Sequence, residues 1–584
     1  MSTRLTNVTF LGAVGPYRNR FLLVLLLLLL DTVFASIGVG LVLPVFQALL
    51  SPTHENVLLS RLLPHVDEYA PETRLILLAS ITILVFFFKA LFATLTAIIS
   101  NDFLQKLRFY WIAQIGDNYL KSALLKIAGH KQGELLNDWF SETLTATRFF
   151  KSLLNYLSST TFAVGLVILG LLVNWRAMIS MLAIGIIAAM LIRTLTYKRS
   201  AILSREKLKY NQALNSSMVE DLASLRDLKL MSAEQRRLDI LAELSGKLKS
   251  IFVQGAILGE IPKIRGEFLA IFFLMGIILI NIVALDMAPQ EVLPMMAFFF
   301  ITFYRLVTAS SISMTSRVRA LNDVQSVKRI QELLGQNHSK EILDAGLPID
   351  KIDTDICLRN VSFNYGRDTR DFNAVDVVIP KGQVTLLVGP SGSGKSTMLD
   401  LLVRLIEPIK GEITANGKII AEFKLEDWRN CFGYVSQDAA LFNGSIINNF
   451  LLAKPDSTTE EILKACRLVG AENFINDLPD GLDTLIGDKG YSLSGGQRKR
   501  IAIARALIRE PSVLILDAAT SSFEQKLEQN LLTELKNSLP DLTIVQVTHR
   551  VLGSSNVDWI IVIDEGNVVA CESKDKINLV DYGI

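Results

Sequence analysis

Eight consecutive residues in the C-terminal half have the types and the spacing that bind phosphate groups. They are Gly389, Pro390, Ser391, Gly392, Ser393, Gly394, Lys395 and Ser396, followed by Thr397. A strand-like run at 385–388 and a helical run at 397–406 flank them, as a phosphate-binding loop requires. Glycines let backbone N–H groups curl around phosphate oxygens, and the helix N-terminus adds partial positive charge. Lys395 would reach the β- and γ-phosphates and Ser396 would bind Mg²⁺, so the sequence predicts a nucleotide site.

Two further segments fit the same chemistry. The apolar run 513–516 ends in Asp517, whose carboxylate either binds the metal or caps a turn after a buried strand. The phosphate loop upstream favours the metal role. Ser494, Gly495, Gly496 and Gln497 precede a helical run. A Ser-Gly-Gly sequence in that position is a good anion-binding nest, although alone it would be only a turn.

These segments lie in a region, 350–584, where short β-rich runs alternate with helical ones. That alternation is typical of an α/β domain with a mainly parallel sheet. A polar stretch punctuated by Gly and Pro at 334–349 precedes the region and is interpreted as a linker. Residues 1–333 have a different character and are predicted to form a separate domain.

The composition indicates that lipid surrounds part of the chain. Of 584 residues, 50% are hydrophobic and only 20% charged, with a mean hydropathy of +0.37, whereas soluble chains carry about 25% charged residues. The net charge of +1 gives no support to nucleic-acid binding. The composition excludes disorder, collagen and coiled-coil arrays.

The four widely spaced cysteines fit neither a zinc site nor a disulfide framework and indicate a reducing compartment.

Six apolar stretches in the first half are each long enough to cross about 30 Å of hydrocarbon. They are 20–50, 75–99, 153–173, 177–195, 268–285 and 292–310. The run 21–30 could instead be the core of a signal peptide, but the apolar pattern continues to Leu50 and five more stretches follow. The sequence therefore predicts an all-α membrane domain of six helices.

Loop charges orient these helices. The loop at 51–73 has four acidic residues against one Arg, whereas 101–151 and 197–265 contain seven and thirteen Lys or Arg residues. Basic loops stay in the cytosol, which places the N-terminus, both long loops and the C-terminal domain there. The short links at 174–176 and 286–291 then lie outside. Since both long loops keep helical periodicity, we expect the membrane helices to continue into the cytosol as long hairpins. The alternative is solvated basic helices beside the membrane.

Together, the motifs of 350–570 resemble, in order and spacing, the nucleotide-binding domain of ATP-binding-cassette (ABC) transporters. The resemblance implies that Tyr365 stacks on adenine, that Gln437 touches Mg²⁺ and senses the γ-phosphate, and that His549 is the switch histidine. It identifies 494–497 with the signature motif, which in this family completes the ATP site of a second domain. Because each motif occurs once, the resemblance implies a dimer of half-transporters, with a second copy of the chain or with a related half.

Two places depart from the family pattern. Ala518 follows Asp517 where the family has a Glu as general base, and 521–524 reads Ser-Ser-Phe-Glu instead of Ser-Ala-Leu-Asp. Alanine cannot accept a proton, and loss of a general base typically costs about 10²–10⁴-fold in rate while binding can survive. We therefore expect the chain to bind Mg-ATP but to hydrolyse it poorly. The intact signature, Gln437 and His549 favour a deliberate substitution at Ala518, whereas the unusual 521–524 segment favours natural divergence in a heterodimer.

Six membrane helices followed by one cassette resemble an exporter half-transporter. By that resemblance 219–235 is the second coupling helix, which docks on a cassette, and the first lies within 111–150. The segments 40–47, 260–268 and 302–307 resemble the first, fifth and sixth helices of bacterial lipid-linked oligosaccharide flippases. The resemblance implies a multi-pass inner-membrane flippase with ATP and Mg²⁺ as its cofactors.

Three ionisable residues, Asp31, Lys89 and Arg305, lie within the predicted spans, where such groups are costly and often functional. Helical rise places Lys89 and Arg305 about 22 Å from the outer boundary, in the cytosolic half. Either they hold a phosphate or pyrophosphate head group, or they snorkel or pair within the bundle, Lys89 with Asp31 for example.

The predicted function is ATP-driven flipping of an amphipathic anionic lipid, with a lipid-linked oligosaccharide as the expected cargo. The first alternative is an exporter of drugs, simple lipids or peptides. The second is the ATP-binding half of a heterodimer, for which Ala518 is the main support. The apolar spans and the signature motif exclude a soluble P-loop kinase or GTPase.

Overall fold

The computed structural model describes residues 10–50, 70–130, 135–279, 289–335, 346–365, 372–487, 493–517, 525–547 and 556–577. The chain divides into two compact units. The first unit comprises residues 1–117 and 132–336, and the second comprises residues 118–131 and 337–584. The first unit is helical, and the second contains all of the described strands.

Nine α-helices are described between residue 10 and residue 335, and all but α5 belong mainly to the first unit. In chain order they are α1 (Phe10–Val14), α2 (Arg18–Gly40), α3 (Val42–Leu50), α4 (Pro71–Leu120), α5 (Leu124–Ala128), α6 (Thr143–Ala223), α7 (Leu225–Leu230), α8 (Glu234–Leu279) and α9 (Pro289–Gly335). A π-helical turn, Asn137–Glu142, leads into α6. The predicted first stretch, 20–50, is thus divided between α2 and α3, and Pro44 lies in the first turn of α3, where proline is tolerated.

The long helix α6 consists of two helices joined at Asn174. The backbone of Asn174 is extended (φ −155°, ψ 100°), and its Oδ1 accepts a hydrogen bond from the Ala177 N–H at 3.1 Å. An Asn side chain that caps the third N–H of a helix is a common helix start. The chain therefore turns at the position that the sequence assigns to the link 174–176.

Four helical segments among the described residues are long and apolar enough to cross a membrane. They are Gly12–Leu49, Glu72–Leu120, Asn137–Ile179 and Met295–Leu321. The predicted fourth stretch, 177–195, has a helical backbone within α6, and the predicted fifth stretch is helical up to Leu279 and otherwise outside the described residues. Helix α4 has 50 residues, or about 75 Å of length, which far exceeds a bilayer core of about 30 Å.

A short helix interrupts the chain between α6 and α8. Ser224 leaves the helical region after α6 (φ −106°, ψ 21°), α7 follows with six residues, and Ser232 adopts a positive φ of 49°. The Arg237 guanidinium joins the two long helices across this turn, because it pairs with Asp221 and donates to the Ser217 hydroxyl at 2.9 Å. Within the segment predicted as a coupling helix, 219–235, the chain thus forms α7 between two breaks.

The second unit contains twelve described strands. They are β1 (Ile356–Phe363), β2 (Phe372–Ile379), β3 (Val384–Val388), β4 (Lys410–Ala415), β5 (Lys418–Ile419), β6 (Phe432–Val435), β7 (Gly444–Ser445), β8 (Leu485–Ile486), β9 (Val513–Asp517), β10 (Thr543–Val547), β11 (Trp559–Asp564) and β12 (Asn567–Ser573). Its remaining described α-helices are α10 (Lys395–Leu402), α11 (Leu425–Asn430), α12 (Ile446–Ala453), α13 (Thr459–Leu468), α14 (Glu472–Asn476), α15 (Gly495–Leu507) and α16 (Gln525–Ser538).

The central sheet of this unit has the strand order β12-β11-β3-β10-β9-β6 and is parallel except for β12. A second, antiparallel sheet has the order β2-β1-β4-β5. All residues of β3 and β10 are buried, as expected of parallel strands covered on both faces. One apolar core joins the central sheet to α10 and the antiparallel sheet, and the other joins it to α12, α13, α15 and α16.

Candidate nucleotide-binding site

The predicted nucleotide-binding residues lie at the carboxyl ends of neighbouring parallel strands. The phosphate loop follows β3, Asp517 ends β9, and Gln437 lies two residues after β6. Strand β10 lies between β3 and β9 and leads towards His549, which is outside the described residues. Ligands of open α/β sheets bind at this edge, so the sheet order brings together residues that are far apart in the sequence.

Glycine is required at two positions of the phosphate loop. Gly389 has a φ of +154°, and a Cβ atom there would lie 2.0 Å from the Ile563 carbonyl oxygen on β11. Gly394 has a φ of +108° and is the N-cap of α10. These conformations disfavour any residue with a side chain. They let the loop close tightly over the start of α10, where the first N–H groups of a helix are free to bind an anion.

The Lys395 side chain points back into the loop. Its Nζ donates hydrogen bonds to the Gly389 carbonyl at 2.9 Å and to the Pro390 carbonyl at 2.7 Å. Burial lowers the pKa of the Lys395 ammonium, and the negative charge of Asp517 acts in the opposite direction. A phosphate group in the loop would supply the negative charge that this buried ammonium lacks, so the loop fits a nucleotide phosphate.

Oxygen ligands for a metal ion are close to the same loop. Ser396 is exposed at the start of α10, and Asp517 lies at the end of β9, where its charge reaches Lys395. Hydroxyl and carboxylate oxygens are the ligand types that Mg²⁺ prefers. The donor set therefore fits Mg²⁺ bound together with nucleotide phosphates.

Two residues that the sequence analysis did not single out surround Asp517. The Tyr434 hydroxyl, from β6, donates a hydrogen bond to Asp517 Oδ2 at 3.2 Å. Burial, followed by the Asp517 charge, raises the Tyr434 pKa above its usual range. Burial likewise raises the pKa of Asp400 to about 6, with Asp517 as the second cause. The only sequence signal for Asp400 is an acidic residue one helical turn after Ser396 in an otherwise apolar run.

Replacing Asp400 with Asn is expected to stabilise the second unit above about pH 6. Between about pH 4 and about pH 6 the folded chain keeps a proton on Asp400 that the unfolded chain has released. The stability that comes from the neutral, protonated Asp400 is fully present below about pH 4 and is lost as the pH rises through the pKa of the folded chain. Asn is neutral at every pH, so the variant keeps this stability. Since Asp400 is partly exposed, we expect a gain of about 1–2 kcal/mol at neutral pH.

Thermal unfolding of the full chain in lipid nanodiscs, followed from about pH 4 to about pH 8, measures this difference. The exposed Asp456 provides the control Asp456→Asn, which should leave the pH profile of the parent unchanged. If the parent and Asp400→Asn have the same dependence of thermal stability on pH, ionisation of Asp400 does not destabilise the folded chain, and the prediction is wrong.

Tyr365 lies beside the start of α10. Its ring packs edge-on against Phe363, with 4.8 Å between centroids, and its hydroxyl is 3.4 Å from Thr397 Oγ1. The side chain remains 40% exposed. An exposed aromatic face next to a phosphate loop can stack on a nucleotide base, which is the role that the sequence resemblance implies for Tyr365.

The signature residues form the N-terminus of α15. Ser494 is the N-cap, its hydroxyl accepts a hydrogen bond from the Gln497 N–H at 3.2 Å, and Gln497 Oε1 accepts one from the Ser494 N–H at 2.9 Å. This capping box leaves Ser494 and Gly495 exposed. Among the hydrogen bonds of the described residues, none joins 494–497 to the phosphate loop. The signature is therefore presented to solvent at a different point of the second unit.

Several predicted site residues are not covered by this geometry. Ala518, the segment 521–524 and His549 lie outside the described residues. Gln437 is described and exposed, directly after the buried end of β6. The roles predicted for all four places remain predictions.

The three ionisable residues of the membrane helices are each described. Lys89 on α4 is near enough to Asp31 on α2 to interact with it electrostatically, while Asp31 Oδ1 is buried without a hydrogen-bond partner. Arg305 on α9 is exposed. The structure thus places Lys89 near Asp31 and leaves the Arg305 side chain accessible, and both the head-group role and the pairing of these residues remain predictions.

Comparison with known proteins agrees with the geometry of the second unit. Residues 372–521 match the family described as ABC transporter. This part of the chain is an ABC transporter ATP-binding domain. Such a domain implies binding of ATP with Mg²⁺. The matched residues begin at β2 and include the phosphate loop, Gln437, the signature and Asp517.

Longer similarities reach into the helical unit. ABC transporter B family member 1 of Dictyostelium discoideum is 30% identical over 78% of this chain and 51% of its own length. Multidrug resistance protein pgp-1 of Caenorhabditis elegans is 30% identical over 79% of this chain and 36% of its own. Heterocyst differentiation ATP-binding protein HepA of Nostoc sp. is 28% identical over 78% of this chain and 74% of its own. The chain thus spans about half or less of the first two relatives.

The relatives include members of the ABC transporter B family, and the chain has several apolar helices upstream of its ABC domain. These two observations together indicate a membrane protein whose ABC domain is cytoplasmic.

Proposed function

We propose that the chain is an ATP-driven exporter of the inner membrane that flips an amphipathic anionic lipid, with a lipid-linked oligosaccharide as the preferred cargo. The observation that carries this proposal is the combination of one ABC domain with membrane helices that contain Lys89 and Arg305. Basic groups within apolar helices are costly and mark substrate pathways. A lipid pyrophosphate is a cargo that such groups can bind.

In the proposed mechanism, the ABC domain holds ATP through the residues at the carboxyl ends of its parallel strands. Lys395 and the loop N–H groups bind the phosphates, Ser396 and Asp517 bind Mg²⁺, and Tyr365 stacks on the base. The bound Mg-ATP supplies the energy of phosphoryl transfer to water. The exposed N-terminus of α15 offers free N–H groups to a nucleotide held by a second copy, because the first N–H groups of a helix have no partner within it.

We further propose that closure of two ABC domains moves the helical units through the short helices of the cytosolic segments. Residues 118–131, which include α5, belong to the same compact unit as the ABC domain and are assigned the first coupling role. Helix α7 is assigned the second, because it is a short helix between two breaks in the chain. Rigid-body motion of packed helices about such elements is a common way to convert ligand binding into domain movement.

The cargo assignment predicts that lipid-stimulated ATP hydrolysis depends on Lys89 and Arg305. In a chain that also carries Ala518→Glu, Lys89→Ala and Arg305→Ala should each reduce the stimulation by lipid-linked oligosaccharide about 10-fold or more, since each removes a charge-assisted contact of about 1.5–3 kcal/mol. Basal hydrolysis should be unchanged. ATPase assays in nanodiscs with and without the glycolipid measure both quantities.

The charge-conserving variants Lys89→Arg and Arg305→Lys are the matched controls and should keep most of the stimulation. Unchanged stimulation in both Ala variants would overturn the anionic-cargo proposal. A third outcome is loss of stimulation in the two single variants Lys89→Ala and Asp31→Asn while Arg305→Ala keeps it. That outcome would mean that Lys89 pairs with Asp31 for structural reasons.

A second candidate is export of drugs, simple lipids or peptides. The observation that favours it is the similarity to a protein named multidrug resistance protein. It predicts stimulation of hydrolysis by uncharged or cationic amphiphiles, with no dependence on Arg305. The same nanodisc assay therefore separates the two candidates. The third candidate, the ATP-binding half of a heterodimer, depends on Ala518 and is tested by the ATPase activity of Ala518→Glu without a second subunit.

A further inference from the structure

A cavity of about 450 Å³ lies between α6 and α9 in the first unit. Helix α6 lines it with Tyr156, Thr160, Ala163, Val164, Val167 and Ile168, and α9 lines it with Ser310, Ser313, Met314 and Arg317. The hydroxyl groups of Thr160 and Ser313 are hydrogen-bonded at 2.8 Å and join the two helices within this cavity. None of these residues takes part in the proposed ATP chemistry or in the predicted cargo contacts. We call this feature the α6–α9 cavity.

The polarity of the α6–α9 cavity changes along its length. Helical rise places Ile168 about 9 Å and Tyr156 about 27 Å from the turn at Asn174. Asn174 Nδ2 contacts Met295 Sδ at 3.9 Å, which fixes the level of α9, and Arg317 lies about 33 Å below that contact. The end near mid-membrane is thus apolar, and the end with Tyr156 and Arg317 lies at the inner boundary of a hydrocarbon core of about 30 Å.

The lining side chains are accessible along the whole cavity. Val164 and Ile168 are each 53% exposed, and Met314 is 50% exposed. Arg317 is exposed as well, and within the described part of the chain no carboxylate forms a salt bridge with it. A cationic group at one end and an uncovered apolar wall at the other match a molecule with an anionic head and a hydrocarbon tail.

We propose that the α6–α9 cavity binds a phosphate-bearing lipid of the inner leaflet before transport. The Arg317 guanidinium, with the Tyr156 hydroxyl, holds the phosphate, and the wall from Val164 to Ile168 holds the first part of the tail. A planar guanidinium binds phosphate oxygens in pairs, which suits an interface position better than a hydrated ammonium does. The proposal rests on the proposed function for the orientation of the helices and for the class of lipid.

The distribution of polar groups favours a lipid over a helix of a second copy. A covering helix would need an apolar surface along its whole length. The polar lining residues, however, all lie in the inner half of the cavity, and they are Tyr156, Thr160, Ser310, Ser313 and Arg317. A lipid places its head and its tail at just these depths, because the inner boundary of the bilayer fixes the level of the head group.

The test is photo-cross-linking of the full chain, without ATP, in phosphatidylcholine nanodiscs that contain a polyprenyl phosphate with a diazirine beside the phosphate. Peptide mapping should place the label within 156–168 and 310–317. Arg317→Ala should reduce the labelling about 10-fold, the loss expected for a charge-assisted contact of about 1.5 kcal/mol. Arg319→Ala removes an equal charge two residues away, outside the cavity lining, and should label like the parent.

Equal labelling of the parent and Arg317→Ala would overturn the proposal, as would label confined to other helices. Efficient disulfide formation between two Ser313→Cys chains would also overturn it, because a second copy would then cover the cavity. The uncharged polyprenol, with the same diazirine, should label poorly. Since binding is measured without hydrolysis, loss of labelling here is distinguishable from loss of glycolipid-stimulated ATPase in Lys89→Ala and Arg305→Ala. If that stimulation fails while Arg317-dependent labelling persists, the lipid site stands and the cargo assignment falls.

Discussion

Ala518→Glu is expected to raise ATP hydrolysis about 10²–10⁴-fold above that of the chain with Ala518, which is the contribution of a well-placed general base. The residue follows Asp517 directly at the end of β9, and β9 pairs in register with β10 and β6 on either side. In the ABC pattern that 350–570 resembles, a Glu directly after the Asp517 position is the general base. Steady-state phosphate release by the full chain in lipid nanodiscs measures the change.

Ala518→Gln is the matched control, because an amide has nearly the shape of a carboxylate but does not accept a proton from water at neutral pH. It should remain as slow as the parent. Binding of a fluorescent ATP analogue should be similar in all three chains, since Lys395, Ser396 and Asp517 are unchanged. Appreciable hydrolysis by the parent would contradict the role assigned to Ala518.

The same measurement separates a homodimer from one half of a heterodimer. An active Ala518→Glu chain needs no other subunit, so two copies then supply both the phosphate loop and the signature. If Ala518→Glu binds ATP and stays silent, a related half with its own general base must complete the site. The exposed capping box at Ser494 fits either partner equally well, because it offers only backbone N–H groups and a hydroxyl.

Local sequence patterns predicted the parts of the ATP site that depend on local structure. The predicted strand 385–388 agrees with β3 to within one residue, and the helix predicted at 397–406 is α10. The helix ends at Leu402, earlier than predicted, because Arg404 adopts a left-handed conformation (φ 53°) that a continuous helix does not allow. The apolar run 513–516 likewise forms β9, with Asp517 at its end.

The surroundings of Asp517 could not be predicted in this way. Tyr434 precedes Asp517 by 83 positions, and only the order of β6, β9 and β10 in the sheet places the two side chains together. Asp400 becomes unusual only when the fold buries it beside Asp517. A similar limit applies to the membrane helices, where the turn at Asn174 was predicted from local composition, whereas the Thr160–Ser313 hydrogen bond depends on how α6 and α9 pack.

Gly389→Ala is expected to abolish high-affinity ATP binding. A Cβ atom at this position would lie 2.0 Å from the Ile563 carbonyl oxygen and 2.8 Å from Ser393 Oγ, at a φ of +154°. The serine can rotate, but the carbonyl belongs to β11, which pairs with β3 next to the loop. Overpacking and backbone strain together cost about 2–5 kcal/mol, which corresponds to about 30-fold to several-thousand-fold in affinity if only the closed loop binds phosphate. Titration of the full chain with a fluorescent ATP analogue and Mg²⁺ measures the loss.

Two other glycines serve as controls that distinguish the effect of the steric clash at Gly389 from the effect of backbone strain. At Gly417, in the turn between β4 and β5, φ is +72° and no atom lies within 4 Å of a Cβ position, so Gly417→Ala should bind ATP normally despite a strain of about 1–2 kcal/mol. At Gly392, within the phosphate loop, φ is +79° and the space is also open, so Gly392→Ala should lose less affinity than Gly389→Ala. Normal binding by Gly389→Ala would mean that β11 moves away from the loop without cost. An equal loss in Gly417→Ala would mean that affinity follows the general stability of the domain, and the packing of Gly389 against Ile563 would then have no special role in holding the phosphates.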